Sequence, residues 1–205
     1  MKIIAVGMNY AQHNQEMGNP HDLPDPVIFL KPDTALLRTG WPMFLPDFST
    51  EVDYEAEVVV RICRLGRSID TRFAHRYYDA VTVGIDFTAR DLQRRFKQLG
   101  LPWELSKGFD GSAAVGRFVA LEELGVGVQQ LDFSLHIDGH EVQHGHTADM
   151  LHPVDHLISY VSQYITLRTG DLIYTGTPAG VGPVSIGQHL EGYLMGEKVM
   201  DFHIK

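Results

Sequence analysis

The chain has 205 residues, 44% of them hydrophobic, and its formal net charge is −9 at pH 7. This acidity argues against the basic surface with which proteins bind nucleic acid or an anionic membrane. Its one cysteine, Cys63, excludes a disulfide framework, and no apolar run approaches the ~20 residues that a membrane span needs. We therefore expect a single domain over residues 1–205, soluble and cytoplasmic, with neither nucleic acid nor a membrane as partner.

Short apolar and β-branched runs predict strands along most of the chain. In chain order they are Lys2–Val6, Val27–Lys31, Asp53–Ile62, Ala80–Phe87, Leu131–Ile137, Glu141–Gly145, Asp171–Thr175, Gln188–Leu194 and Val199–Ile204. Residues 34–50 contain turn-forming Gly and Pro and predict short β pieces. Asp138-Gly139 predicts a hairpin turn between two of the strands.

Helices are predicted at fewer places. They are Asn9–Gly18, Thr71–Asp79, Thr88–Leu99, and a helix beginning at Pro153 with an apolar stripe of Leu157, Tyr160, Val161 and Tyr164. The Thr88–Leu99 helix is expected to open with a capping box of Thr88 and Asp91. Because strands dominate and do not alternate with helices, we predict a mainly β architecture with short helices.

The most informative stretch is Asp53–Ile62, in which Asp53, Glu55 and Glu57 occupy alternate positions. In a strand these carboxylates share one face, which is unfavourable without a cation among them. Asp86 ends a second predicted strand, and carboxylates of this kind suit Mg²⁺ or Mn²⁺. The alternative is a solvated strand face, which spacing alone favours because such alternation is common in half-exposed strands.

Two further patterns are candidates for catalysis. His13 and Glu16 are three apart in a predicted helix, so the carboxylate can orient the imidazole as a general base. Lys107 could neutralise an anionic substrate or a developing oxyanion. Taken locally, each has a simpler explanation, namely a surface helix and an exposed lysine.

The segment Asp171–Gly182 follows a predicted strand with Gly176, Gly180 and Gly182. Its spacing is neither GxGxxG nor that of a P-loop, so we reject nucleotide binding. A loop of this composition can bring backbone N–H groups and the hydroxyls of Thr175 and Thr177 close to a ligand.

Histidines are crowded into residues 136–156. They are His136, His140, His144, His146, His152 and His156. Their spacings fit no standard zinc pattern, so we favour surface composition over a second metal site and leave the role of this region open.

Several motifs together resemble the fumarylacetoacetate hydrolase family, in the short form that lacks the N-terminal domain. They are NYAQHNQEM at Asn9–Met17, FLKP at Phe29–Pro32, DYEAEVVV at Asp53–Val60, GIDFTARDLQ at Gly84–Gln93, WELSKGFD at Trp103–Asp110, the loop Gln143–Met150, and IYTGTPAGVG at Ile173–Gly182. They lie in the family's order and extend over most of the chain.

The resemblance implies a mixed β-sandwich roll, usually in a homodimer. It implies a divalent metal, usually Mg²⁺ with Mn²⁺ as an alternative, on Glu55, Glu57 and Asp86. It also assigns substrate contacts to Lys107, Thr177 and Gly176 of the TGTP turn. Asp53 receives no such role and is left as a supporting residue.

The resemblance also places His13 and Glu16 as a water-activating dyad on a lid, so residues 1–26 would include the lid helix and its loop. It implies a small 2-oxo acid substrate and hydrolysis of a C–C bond in a 2,4-dioxo acid, of the acylpyruvate or fumarylpyruvate type, through a pyruvate enolate. The acidic residues in Pro20–Pro26 are expected to disfavour a second carboxylate at the far end of the substrate.

The same enolate chemistry leaves alternatives open within the family. These are oxaloacetate decarboxylation or tautomerisation, and isomerisation or decarboxylation in aromatic catabolism. A non-catalytic protein that binds 2-oxo acids is the alternative of a different class, and the complete set of motif residues argues against it.

Overall fold

The computed structural model describes residues 1–18 and 23–205. Its strands are β1 Ile3–Gly7, β2 Val27–Lys31, β3 Leu36–Leu37, β4 Val52–Tyr54, β5 Ala56–Ile62, β6 Tyr78–Asp86, β7 Thr88–Ala89, β8 Ala113–Val115, β9 Val119–Ala120, β10 Asp132–Ile137, β11 His140–His146, β12 Leu172–Tyr174, β13 Gly182–Pro183, β14 His189–Leu194 and β15 Glu197–His203. The predicted loop after the first helix lies partly outside the described residues.

The helices are short. They are α1 Ala11–Glu16, α2 Arg90–Leu99, α3 Glu104–Lys107, α4 Leu121–Leu124 and α5 Val154–Tyr164, with 3₁₀ turns at Asp33–Ala35, Thr71–Arg76, Val128–Gln130 and Thr147–Asp149. None of the helices in the described ranges is long and apolar enough to cross a membrane. The predicted mainly β class with short helices is confirmed.

The strands form three sheets. The largest has eight strands in the order β2-β1-β12-β5-β6-β8-β3, with β9 also paired to β6. A four-stranded sheet has the order β11-β10-β14-β15, and a three-stranded sheet has the order β13-β4-β7. Most pairs are antiparallel, whereas β1 with β12 and β3 with β8 are parallel. The fold is therefore a mixed β architecture in which β5 and β6 lie inside the largest sheet.

The core buries both faces of β5. Val58, Val59 and Val60 are each 0% exposed, so successive residues of this strand pack in opposite directions without meeting solvent. The inner faces of the eight- and four-stranded sheets and the apolar face of α5 contribute to one large cluster. Glu57, within β5, and Glu55, just before it, are 2% and 6% exposed, which excludes a solvated strand face for both.

The predicted strand Asp53–Ile62 is not continuous. It is interrupted at Glu55, and its two parts, β4 and β5, belong to different sheets. The reason is tertiary: β4 pairs with β7 and β13, whereas β5 pairs with β6 and β12. Polar and apolar residues alternate in the same way before and after Glu55, so the sequence pattern could not reveal that the two parts pair with different strands.

The predicted capping box of Thr88 and Asp91 is wrong. Thr88 lies in β7, where it pairs with Asp53, and α2 begins at Arg90 without a side-chain cap. The Asp91 carboxylate instead accepts hydrogen bonds from the Ser49 hydroxyl at 2.6 Å and from the backbone N–H of Thr50 at 3.0 Å. Sheet pairing of Thr88 therefore outweighs its local preference for a helix cap.

The predicted hairpin turn is confirmed. Asp138 and Gly139 have φ of 52° and 80°, the left-handed conformations of a tight hairpin turn between β10 and β11.

The predicted apolar stripe of α5 is partly wrong. Leu157 and Val161 are buried as predicted, but Ile158 completes the buried face and Tyr164 is 64% exposed. The face of α5 that packs against the core is therefore shifted slightly around the helix from the predicted one.

Gly116 provides a test of how closely the two larger sheets approach. A Cβ at this position would lie 2.5 Å from the backbone oxygen of Val199 and 2.8 Å from the Thr82 hydroxyl. Backbone cannot yield as a side-chain tip can, so we expect Gly116→Ala to lower the free energy of unfolding by about 1–3 kcal/mol in urea denaturation. The matched control is Gly127→Ala, whose Cβ meets only Gln130 Oε1 at 3.5 Å. Equal stability of the two variants would contradict this packing.

Candidate active site

Three carboxylates meet where β4 gives way to β5 and where β6 ends. Glu55, Glu57 and Asp86 are 6%, 2% and 1% exposed. Each offers an oxygen atom, and these atoms all lie within 4.8 Å of one another. The turn at Glu55 is held by the Asp86 N–H, which donates to the Glu55 carbonyl at 2.9 Å. The three predicted metal ligands are thus brought together.

Two buried lysines neutralise Asp86. Lys107 Nζ, on α3, lies 2.8 Å from Asp86 Oδ2, 2.7 Å from Glu55 Oε2 and 2.6 Å from the Thr88 hydroxyl. Lys31 Nζ, at the end of β2, lies 2.6 Å from Asp86 Oδ1 and donates to the backbone oxygens of Ser112 and Lys107. Burial lowers the pKa of Lys107, but Asp86 and Glu55 outweigh that effect and raise it, so the side chain is an ammonium.

Arg90, the first residue of α2, lies behind the carboxylate cluster. Its Nε donates to Asp53 Oδ2 at 2.6 Å, its Nη2 to Glu55 Oε1 at 2.7 Å, and its Nη1 to Gln93 Oε1 at 2.7 Å. Asp53 is therefore held by Arg90 and lies outside the group of three. This agrees with its expected supporting position.

Glu55 and Glu57 have opposite electrostatic environments. Burial raises the pKa of Glu55, but the charges of Lys107 and Arg90 outweigh burial and hold that pKa below its usual range. Glu57 has no lysine or arginine partner among the described residues; its Oε2 accepts a hydrogen bond from the Gly176 N–H at 2.7 Å. Burial, together with Asp86 and Glu55, raises the pKa of Glu57 well above its usual range. Glu57 thus lacks a positive partner.

A divalent cation fits this arrangement. The donors are buried carboxylate oxygens, which Mg²⁺ and Mn²⁺ prefer, and they converge from two adjacent strands. A cation would supply the charge that Glu57 lacks. Because Lys107 lies between Glu55 and Asp86, it would have to share these carboxylates with the cation or move away from them.

Helix α1 covers the cluster. His13 is 8% exposed, and its Nδ1 lies 3.2 Å from Glu16 Oε2. The Gly180 N–H donates to Glu16 Oε1 at 3.1 Å, so the TGTPAG loop fixes the carboxylate. Asn9, just before the helix, donates to the Thr175 carbonyl at 2.7 Å. The predicted dyad is therefore formed and anchored to the glycine-containing loop.

Thr177 and Gly176 are placed by neighbouring groups. Gln143 Nε2 donates to the Thr177 hydroxyl at 2.9 Å, and the hydroxyl in turn makes only a long contact, 3.5 Å, to the Pro178 carbonyl. Gln143 Oε1 accepts from the Ala56 N–H at 2.8 Å. Gly176 has φ of 99°, and a Cβ there would lie 2.7 Å from the Asn9 Cβ. Its N–H is directed at Glu57, so a direct contact of Gly176 with substrate stays a prediction.

One cavity connects these side chains. Its lining includes the predicted residues His13, Glu55, Glu57, Asp86, Lys107 and Thr177, together with Phe29, Arg90, Gln93, Lys97 and Trp103. Its volume is about 40 Å³, which holds only a few water molecules. Glu16 and Gly176 are not among the residues that line it. A 2-oxo acid is larger than this volume, so binding it would require the cavity to widen.

Lys31, Arg90 and Gln143 were not singled out from the sequence as site residues. All three lie in the quoted motifs, in FLKP, TARD and the loop Gln143–Met150. A lysine before a proline and an arginine opening a helix have no local property that distinguishes them from surface residues. The motif context was the only signal available.

The interpretation of the histidine-rich region, residues 136–156, as surface composition stays a prediction. Within the described residues, only one other group of three could hold a metal ion, namely His189, Glu191 and Asp201, and it lies outside residues 136–156. In that group Lys198 Nζ is 2.9 Å from Glu191 and 2.6 Å from Asp201, forming a partly exposed ion-pair network.

Comparison with known proteins identifies the class. The family model described as fumarylacetoacetate (FAA) hydrolase C-terminal matches residues 2–204. The chain belongs to this family of enzymes. It is 41% identical over 189 residues to a mitochondrial oxaloacetate decarboxylase of Dictyostelium discoideum, covering 91% of this chain and 85% of that protein. It is 38% identical over 190 residues to an oxaloacetate tautomerase of Escherichia coli, covering 92% and 86%.

A solved structure extends the comparison to the fold. The fumarylpyruvate hydrolase of Pseudomonas aeruginosa, in complex with Mn²⁺ and pyruvate, matches with a TM-score of 0.93 and 33% identity, covering 100% of this chain and 89% of that one. The predicted family and its β-roll fold are confirmed.

The electrostatic role of Arg90 can be tested on α2 itself. Arg90→Gln leaves Asp53 and Glu55 buried without their guanidinium partner, so we expect a loss of about 3–5 kcal/mol in the free energy of unfolding. Arg94 is the matched control: it pairs with Glu51 on the surface, where such pairs contribute about 0–1 kcal/mol. Urea denaturation without added metal measures both. A similar small loss for Arg94→Gln and Arg90→Gln would show that the buried network is not needed for stability.

Proposed function

We propose that this protein is a metal-dependent hydrolase that cleaves the C–C bond of a 2,4-dioxo acid of the acylpyruvate or fumarylpyruvate type. The observation that carries the proposal is the position of His13. Its ring, paired with Glu16, lines the same cavity as the three-carboxylate cluster and Lys107. A base next to a site for an enolate is what hydrolysis requires.

The metal proposed for Glu55, Glu57 and Asp86 is Mg²⁺, with Mn²⁺ as an alternative. The hard, buried oxygen donors support it, as does the Mn²⁺ in the related Pseudomonas aeruginosa structure. When bound, such an ion supplies Lewis-acid stabilisation of the negative charge on a 2-oxo acid and its enolate.

His13 is the proposed general base. A neutral ring whose proton is on Nδ1 donates to Glu16 Oε2, which leaves Nε2 free to accept a proton from water. The resulting hydroxide attacks the distal carbonyl carbon at position 4. The bond between carbons 3 and 4 then breaks, and its electron pair forms the enolate of pyruvate. The released acid carries the added oxygen, and the enolate takes a proton to become pyruvate.

Lys107 and Thr177 are proposed to hold the 2-oxo acid end. Lys107 is an ammonium within a buried site, where a positive charge stabilises a developing enolate more strongly than in water. The Thr177 hydroxyl would exchange its long contact with the Pro178 carbonyl for a hydrogen bond to the substrate carboxylate. Gly176 contributes by orienting Glu57 and the loop. The small 2-oxo acid is therefore held from two sides, with His13 above its distal carbonyl.

Oxaloacetate is the second candidate substrate. Its decarboxylation or tautomerisation uses the same enolate but needs no activated water. The oxaloacetate decarboxylase and tautomerase among the relatives favour it. A panel of acylpyruvates, fumarylpyruvate and oxaloacetate, followed by loss of enol absorbance and formation of pyruvate, separates the two proposals. A non-catalytic 2-oxo acid-binding protein would turn over none of them.

A homodimer is also proposed, because the resemblance to the family implies it. Sedimentation velocity of the purified chain measures the assembly directly, and a monomer at micromolar concentration would exclude it.

The base can be tested by removing the imidazole. We expect His13→Ala to lower kcat for acylpyruvate hydrolysis by on the order of 10²–10⁴, because proton transfer contributes about that much. His140→Ala is the control, since His140 is exposed on β11. Hydrolysis by His13→Ala at the wild-type rate would remove this residue from the mechanism.

Metal dependence can be tested by removal and by direct binding. EDTA should abolish turnover, and Mg²⁺ or Mn²⁺ should restore it. In Mn²⁺ titrations followed by electron paramagnetic resonance, we expect Glu57→Gln to weaken binding more than about tenfold. Glu191→Gln, in the surface cluster, should leave the Mn²⁺ affinity unchanged. Full turnover in EDTA would exclude the proposed metal centre. So would Mn²⁺ binding that is weakened by Glu191→Gln and unchanged by Glu57→Gln.

A further inference from the structure

Lys97 lies at the mouth of the active-site cavity. On α2 the residues Arg90, Gln93 and Lys97 are three and seven apart, so they share a helix face, and all three line the cavity. Arg90 and Gln93 already have hydrogen-bond partners, because Arg90 binds Asp53, Glu55 and Gln93. Lys97, the outermost, is exposed and has no carboxylate within ion-pair distance among residues 1–18 and 23–205.

An aromatic wall connects Lys97 to the inner end of the cavity. Lys97 Nζ lies 5.4 Å from the centre of the Trp103 ring. Trp103 packs edge-on against Phe29 at 6.0 Å between ring centres, and Lys107 Nζ lies 5.5 Å from the Phe29 ring. The rings of Phe29 and Trp103 therefore lie between the ammonium group of Lys107, inside the cavity, and that of Lys97, at its mouth. Such a wall suits an extended, flat carbon chain with a negative charge at each end.

The charges around Lys97 favour an anion as its partner. Burial of part of the side chain and the positive charges of Arg90 and Lys107 lower the pKa of Lys97, and the more distant Glu55 carboxylate only partly offsets them. The acidic residues near the lid do not supply the partner in the described structure. The charge of Asp25 affects the pKa of His152 and of Tyr160, and Asp25 is not among the residues that line the cavity. Asp22 lies outside the described residues.

We propose that Lys97 binds the second carboxylate of an extended 2-oxo diacid whose 2-oxo acid end lies at Lys107. The inference rests on the proposed function and deepens it, since it selects diacids of the fumarylpyruvate type over acylpyruvates that end in a methyl group. It also reverses the expectation that acidic residues after the lid disfavour a second carboxylate. Lys97 takes no part in bond cleavage; it sets the specificity.

The turnover experiment uses two substrates with the same carbon chain. Fumarylpyruvate ends in a carboxylate, and crotonylpyruvate ends in a methyl group. We expect Lys97→Met to lower kcat/KM for fumarylpyruvate at least about tenfold more than for crotonylpyruvate, with most of the loss in KM, because the contact binds substrate and transition state alike. Lys97→Arg should restore most of the preference, and Arg95→Met, on the same helix, should not alter it.

A binding experiment decides the inference even if the chain hydrolyses neither substrate. 2-Oxoadipate and 2-oxohexanoate also share a carbon chain, differ only in the terminal carboxylate, and lack the carbonyl at which cleavage occurs. In calorimetry with Mg²⁺, the wild type should bind 2-oxoadipate more tightly, and Lys97→Met should reduce that preference about tenfold. Equal binding of the two acids by the wild type, or an unchanged preference in Lys97→Met, overturns the role of Lys97. Absence of turnover combined with the expected binding pattern overturns the hydrolase proposal alone.

Discussion

The structure depends on the pairing of buried carboxylates with buried cations. Four carboxylates, Asp53, Glu55, Glu57 and Asp86, are each at most 6% exposed in one region. Lys31, Arg90 and Lys107 supply three positive charges among them, and each binds a carboxylate directly. An unpaired charge in this environment is strongly destabilising, so the cations determine how the surrounding segments must pack. Glu57 is the carboxylate without a cationic partner, which is why the cluster fits a divalent ion.

The pairing of these buried charges brings together segments that are distant in the chain. Lys31 comes from β2, Lys107 from α3 and Arg90 from α2, and each reaches the junction of β4, β5 and β6. The break at Glu55 is part of the same solution, because it lets Asp53 bind Arg90 while Glu55 and Glu57 stay near Asp86. Helix α1 and the TGTPAG loop then close the remaining side through Glu16 and Gly180. The architecture of the cavity follows from charge pairing as much as from apolar packing.

Sequence reasoning succeeded where the signal was local or carried by a motif. The turn at Asp138-Gly139 has its own conformational preference, so the hairpin was predictable. That Glu55, Glu57 and Asp86 lie together was predictable from the motifs, whereas their spacing alone favoured a solvated strand face. The capping box at Thr88 failed because pairing of β7 with β4 competes with the helix cap. Lys31 and Arg90 were missed because burial, which gives them their role, is produced by residues far away in the chain.

By itself the sequence determined the mainly β class, the family and the candidate residues of the site. Only the tertiary structure decided which charges pair, that both faces of β5 are buried, and that Lys97 remains at the cavity mouth beside Trp103. The physical reason is that a charge interaction is strong only where water is excluded. Exclusion of water at Glu55 requires partners such as Lys107, 52 residues away, and no local pattern specifies that distance in space.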